Sequence, residues 1–138
     1  MAVTETLIVG GGISGLYTAF KLQNAGIPYV LLEAKSIVGG RVAGEPALPH
    51  SHVSVDLGPT WFWSHQSNLK QLLRELNLEW FEQYSEGETL YHMHPEELPS
   101  RTYSSPGTMA SYRVKGGMQN LIAALTERLE QPGIKTEH

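Results

Sequence analysis

Leu7-Ile8-Val9-Gly10-Gly11-Gly12-Ile13-Ser14-Gly15 is followed by an amphipathic run and then by Tyr29-Val30-Leu31-Leu32-Glu33. Three apolar residues without alternation fit a strand buried on both faces, as in a parallel sheet. The glycines match G-x-G-x-x-G at Gly10, Gly12 and Gly15. Ile13, Leu16, Tyr17 and Phe20 recur at i, i+3, i+4 and i+7, which is one face of a helix. Gly26 stops that helix and Pro28 prevents its resumption. A second apolar strand then ends in an acid. The pattern is a β-turn-α-β unit of the kind that holds a dinucleotide.

Each residue type in the unit has a physical task. Gly10 permits the tight strand-to-helix turn, and Gly12 lacks the Cβ that would collide with a pyrophosphate. Gly15 lets the helix lie close to the sheet. The helix points its unpaired N–H groups and the positive end of its dipole at the phosphates. Glu33, eighteen residues after Gly15, sits where a carboxylate accepts from ribose hydroxyls. An acid there also disfavours a 2′-phosphate, which argues against NADP.

The 138 residues have the length of one domain, enough to bury a core. A net charge of −4 recommends neither nucleic acid nor an anionic membrane as partner. The absence of cysteine excludes disulfides, thiolate metal sites and a cysteine nucleophile within the chain. Met1 to Glu5 hold no basic n-region, and no apolar run approaches the ~18 residues of a membrane span. A cytoplasmic protein is the expectation.

Directly beyond the second strand stand Gly39-Gly40-Arg41. Two glycines and a permanent cation there supply flexible backbone and a planar fork suited to phosphate oxygens. Together with the first motif, with Glu33-Ala34 and with Asp56-Leu57-Gly58, this arrangement resembles the flavin-containing amine oxidase family. Lys115-Gly116-Gly117-Met118-Gln119-Asn120-Leu121 is similar to that family's Gly-Gly turn before a helix returning to the FAD domain. The matches keep family order from Leu7 to about Leu129.

The resemblance implies FAD rather than NAD. Its pyrophosphate would lie on Gly12 to Gly15, the adenosine ribose on Glu33, and Arg41 near the phosphates. Gly58-Pro59-Thr60-Trp61 would run close to the isoalloxazine ring. The implied cofactor-binding residues are Gly10, Gly12, Ile13, Ser14, Gly15, Glu33, Ala34, Gly40, Arg41, Gly58, Pro59, Thr60 and Trp61. The implied activity is oxidation of a small-molecule amine to an imine, with dioxygen reduced to hydrogen peroxide. No catalytic acid or base is assigned among these residues.

The rest of the chain supports an α/β reading: a Rossmann-like βαβ unit followed by the start of a mixed α+β substrate domain, incomplete within this chain. Val53 and Val55 alternate with Ser54 and Asp56, a short strand delivering the Gly58-Pro59 turn. Ala43 to His52 holds two prolines and reads as a loop or weak edge. In Trp61-Phe62-Trp63, alternation would turn Trp61 and Trp63 to one side and Phe62 inward. Ser67 is positioned to cap a helix whose stripe is Leu69, Leu72, Leu73 and Leu76, with Asn77 at its end. Leu78 to Tyr84 and Thr89 to Met93 read as an antiparallel pair turning at Glu86-Gly87-Glu88. The pairs His50/His52 and His92/His94 lack a third ligand at fixed spacing, so no metal is assigned. Pro95 to Pro106 reads as a loop, and Tyr112 to Lys115 as extended. Leu121, Ile122, Leu125 and Leu129 line a closing helix ended by Pro132-Gly133, and Ile134-Lys135-Thr136 starts another strand.

The expected division is 1–75 nucleotide-binding segment, 76–113 beginning of the substrate domain, and 114–138 return to the first. The family's remaining segments have no match here, so an isolated 138-residue piece is expected to be inactive, with a second chain or homo-oligomer completing the fold. A carbon–carbon desaturase or porphyrinogen oxidase, and a non-catalytic nucleotide-binding or assembly module, are the alternative readings.

Overall fold

Strand β1 (Thr6–Val9), helix α1 (Ile13–Asn24) and strand β2 (Tyr29–Glu33) form the opening unit. The chain then runs β3 (Gly44–Pro46), β4 (Ser54–Asp56), β5 (Phe62–Trp63), α2 (Ser67–Glu75), β6 (Trp80–Glu82), β7 (Gly87–Tyr91), β8 (Ser100–Ser104), β9 (Ser111–Val114), α3 (Gln119–Arg128) and β10 (Ile134–Thr136). The structure is a computed structural model and describes residues 6–49, 54–104, 110–130 and 133–137. The expectations placed on His50, Ser51, His52, Val53, Pro106 and Pro132 lie outside the described residues.

β1 and β2 pair in parallel from Thr6↔Tyr29 to Val9↔Leu32, and β10 pairs in parallel with the other side of β2. The crossover α1 ends where the sequence predicts. Gly26 takes φ +68, its N–H donates to the Gln23 carbonyl, and the Ile27 N–H reaches back to the Leu22 carbonyl at 2.9 Å. These two bonds satisfy carbonyls that the last turn leaves open. Helix α2 closes the same way through Asn77, at φ +57, with the Leu78 N–H on the Leu73 carbonyl at 2.8 Å.

The core is one continuous cluster. Leu16, Ala19 and Phe20 of α1 meet Leu31 of β2, while Leu121, Ile122 and Leu125 of α3 and Leu72 and Leu73 of α2 complete it with Phe62, Val114 and Met118. Lys21 of α1 pairs with Glu75 of α2 at 3.2 Å on its rim. Each helix therefore spends its apolar stripe on the same interior, as its periodicity requires.

Four expectations are corrected. β1 is buried on one face only: Ile8 is buried, whereas Leu7 and Val9 are 58% and 81% exposed. Among the described residues, no layer covers the side to which those two point. Ser67 does not cap α2. It is the first helical residue, Gln66 stands at the cap, and the Gln66 side chain accepts from the Trp63 N–H at 3.0 Å. The segments 78–84 and 89–93 do not pair with each other. β6 pairs with β9, giving an antiparallel sheet in the order β5-β9-β6, and β7 pairs with β8. Finally, 95–106 is not all loop, because β8 lies within it. Its Ser-Arg-Thr-Tyr-Ser stretch carries four hydroxyl residues and no aliphatic one, so alternation gave no strand signal.

β3 and β4 form a separate antiparallel ribbon in which Pro46 opposes Ser54. Proline is tolerated there because an edge position demands no N–H from it. The ribbon leads directly into Leu57 and Gly58.

Candidate nucleotide site

The glycine turn is built from three different constraints. Gly10 sits at φ +102, which side chains rarely adopt, and its N–H donates to the Leu32 carbonyl at 2.7 Å. A Cβ on Gly15 would lie 2.0 Å from the Gly10 carbonyl oxygen, so α1 starts in direct contact with the turn. A Cβ on Gly12 would meet nothing within 4 Å. Gly15 is thus required by the protein's own packing, while the space at Gly12 is open to a ligand. The first turn of α1, which includes Ile13 and exposed Ser14, has no side-chain cap and no acidic residue. Its N–H groups and dipole remain available to an anion.

Glu33 is brought onto this turn. Its Oε2 accepts from the Gly11 N–H at 2.6 Å and its Oε1 from the Lys35 N–H at 2.9 Å. These donors, Lys35 first and Gly11 next, hold its carboxyl below the usual carboxylate range. The charge sits at the end of β2 with Ala34 exposed beside it.

The Gly39-Gly40-Arg41 loop closes on the turn from the other side. Gly39 is bridged to Gly12, and its N–H donates to the Gly11 carbonyl at 2.8 Å. Gly40, at φ +60, lies so close that a Cβ would stand 3.2 Å from the Gly12 Cα. Arg41 is exposed, and among the described residues its guanidinium enters no ion pair or ring contact. Gly58 lies directly on its main chain: a Cβ there would be 2.1 Å from the Arg41 carbonyl oxygen. Gly10 to Gly15, Glu33, Gly40, Arg41 and Gly58 are therefore one contiguous constellation.

Pro59, Thr60 and Trp61 continue from it. The Thr60 hydroxyl donates to the Gly58 carbonyl at 3.2 Å, and Trp61 is 51% exposed. The expected alternation holds at this point, since Phe62 is buried and Trp63 only partly so. A cleft of about 550 Å³ borders the constellation, lined by Gly40 and Val42 on one wall and by Gln119 and Ile122 of α3 on the other. The His92 ring bonds the Glu97 carbonyl at 3.0 Å.

Sequence reasoning missed two roles. Gly11 is sterically constrained where Gly12 is open, because a Cβ would stand 2.8 Å from Val38 Cγ1 and 3.1 Å from Glu33 Oε2. The signal was its place in the middle of three consecutive glycines. Asp56, whose side chain is 2% exposed, accepts from the Met118 N–H at 2.7 Å and so ties β4 to the start of α3. Only its place two residues before Gly58 hinted at that.

Three comparisons bear on the site. A family model described as a NAD(P)-binding Rossmann-like domain matches residues 8–76. Flavin-containing amine oxidase B of Cavia porcellus is 35% identical over 98 residues, 70% of this chain and 18% of that protein. Putrescine oxidase of Kocuria rosea is 34% identical over 121 residues, 88% of this chain and 24% of its own. The solved structure of wild-type putrescine oxidase bound to putrescine superposes with a TM-score of 0.81, over 97% of this chain and 51% of that one. At 19% identity that likeness shows the fold. The chain spans a quarter or less of the length of these curated relatives. No helix among the described residues is long and apolar enough to cross a membrane.

Proposed function

The chain belongs to the NAD(P)-binding Rossmann-like domain family, and from that premise we propose that it is the FAD-binding part of an amine oxidase-type flavoenzyme. The observation that carries the reading is the open side of Gly12, set between Glu33 and the Gly39–Arg41 loop. The residues present fit a dinucleotide: a Cβ-free approach at Gly12, an uncapped helix start at Ile13 and Ser14, and at Arg41 a cation that enters no ion pair among the described residues. FAD is preferred to a nicotinamide because the curated relatives named above include a flavin-containing amine oxidase.

In this reading the pyrophosphate rests on Gly12 to Gly15 and the ribose hydroxyls donate to Glu33. Glu33 retains lone pairs for them, since each carboxylate oxygen accepts more than one bond. Arg41 offers its planar fork to the phosphates. Gly10, Ala34 and Gly40 shape the backbone around them, and Gly58, Pro59, Thr60 and Trp61 border the ring. Residues 1–75 and 114–138 form the nucleotide-binding part, and 76–113 the start of a substrate domain for a small-molecule amine in the cytoplasm. The chemistry such a group supplies when bound is two-electron oxidation of an amine to an imine, with dioxygen reduced to hydrogen peroxide. This chain's own residues bind and orient.

The test is to purify the protein, extract its small molecules and titrate it with FAD and with NADP. A flavin chromophore and FAD binding are expected. A nicotinamide without flavin would overturn the proposal. The 138 residues alone are expected to form no amine-dependent peroxide, and turnover by them would overturn their reading as only the binding part.

A further inference from the structure

The nucleotide constellation is clamped by a ring of contacts that passes through the carboxylate of Asp56, two residues before Gly58, and on to the start of α3, some sixty residues away in sequence. Asp56 Oδ1 accepts from the Met118 N–H at 2.7 Å, and Arg113 Nη2 stands 3.8 Å from Oδ2. Gly117, at φ +99, approaches so closely that a Cβ would lie 3.1 Å from Asp56 Oδ1. Gln119 Nε2 donates to the Ser54 hydroxyl, a second tie between β4 and α3. From α3, Ile122 packs on Gly39, where a Cβ would stand 3.4 Å from Ile122 Cγ2. From β4, the chain passes through Leu57, whose N–H donates to the Ala43 carbonyl at 2.9 Å, to Gly58 lying on the Arg41 main chain. The loop carrying Gly39, Gly40 and Arg41 is thus held between α3 and β4, and Asp56 joins those two elements.

We propose that Asp56 is a positioning residue for the nucleotide site, fixing the 39–41 loop and the 58–61 segment by locking β4 to the start of α3. The dinucleotide role of that site rests on the function proposed above; the mechanical role of Asp56 does not. Arg113 keeps the carboxylate oriented, and the interior position makes an unanswered Met118 N–H costly. Loss of the acceptor therefore loosens both elements rather than only the first turn of α3.

Amide hydrogen exchange on the protein and its Asp56→Ala and Asp56→Asn variants tests this. Asp56→Ala should speed exchange at Gly39, Val42 and Leu57 by about tenfold or more. Asp56→Asn keeps an oxygen facing Met118 and should restore most of the protection. Acceleration confined to Met118 and Asn120 would overturn the proposal, leaving Asp56 a local cap. If Asp56→Ala does not fold, the unaltered protein decides: Gly39, Val42, Leu57 and Met118 should open together with one denaturant dependence. Independent opening of Met118 would sink the idea. FAD affinity should fall about tenfold in Asp56→Ala and recover in Asp56→Asn. Should the unaltered protein take up no FAD, the functional reading fails while the exchange pattern still judges Asp56.

Discussion

The Phe62 ring meets the Trp80 ring edge-on, with centroids 6.4 Å apart and planes at 68°. The contact joins β5 to β6 across β9, where Tyr112 adds a third ring at 5.6 Å from Phe62. Phe62 is 1% exposed, while its neighbour Trp61 is half exposed. Phe62→Ala should destabilise the fold by about 3–5 kcal/mol, the range for emptying an aromatic core position. Trp61→Ala should change stability by less than about 0.5 kcal/mol, as exposed substitutions do. Urea unfolding of both variants checks the pair, and equal losses would contradict the alternation.

Gly15→Ala tests a sign. In an ordinary helix interior the change from glycine gains up to about 1 kcal/mol. Here the added Cβ would sit 2.0 Å from the Gly10 carbonyl oxygen, which belongs to the backbone and cannot swing aside. Overpacking of that kind costs about 1–3 kcal/mol, so the net effect should be destabilising. A variant more stable than the parent in denaturant melts would show that α1 does not rest on the turn.

The nucleotide unit was legible in the sequence because local rules dictate it. Gly10, Gly12 and Gly15 occur at their required spacing, and Gly26 and Asn77 mark helix ends by tolerating positive φ. Strand partners in 78–104 were not legible. β6 pairs with β9, some thirty residues on, so pairing there depends on tertiary position rather than on the nearest turn. β8 escaped notice because Ser100, Thr102 and Ser104 are polar and the hairpin's surface is exposed. Asp56 escaped for a related reason: its partner, the Met118 N–H, belongs to the main chain and leaves no side-chain signature.

Glu33 should make stability depend on pH. Its carboxyl is held low, first by the Lys35 N–H and then by the Gly11 N–H. A folded-state value below the unfolded one gives stability that is present above the ordinary carboxylate range and lost as pH falls through the folded value. Glu33→Gln should therefore melt below the parent at neutral pH, with the gap closing as the solution is acidified. Other carboxylates held low, such as Glu75 and Glu79, are common to both proteins and cancel in the difference. Thermal melts at a series of pH values decide, and a gap indifferent to pH would assign Glu33 no such role.

Gly12→Val separates folding from binding. A Cβ at Gly12 would meet nothing within 4 Å, and the backbone there is extended at φ −70 and ψ 176. The added Cβ therefore enters open space in the ligand-free protein. The remaining cost is a poorer residue at the helix cap, on the order of 1 kcal/mol or less relative to glycine. A pyrophosphate must occupy that same space to reach the first-turn N–H groups of α1. Excluding it forfeits several charge-assisted hydrogen bonds, each worth roughly 1.5–3 kcal/mol. FAD affinity should thus drop by several kcal/mol while the melting curve barely moves. The two effects differ in size by enough to be told apart in one preparation, by a thermal melt and a flavin titration. A folded Gly12→Val protein with undiminished flavin binding would remove the pyrophosphate from this turn.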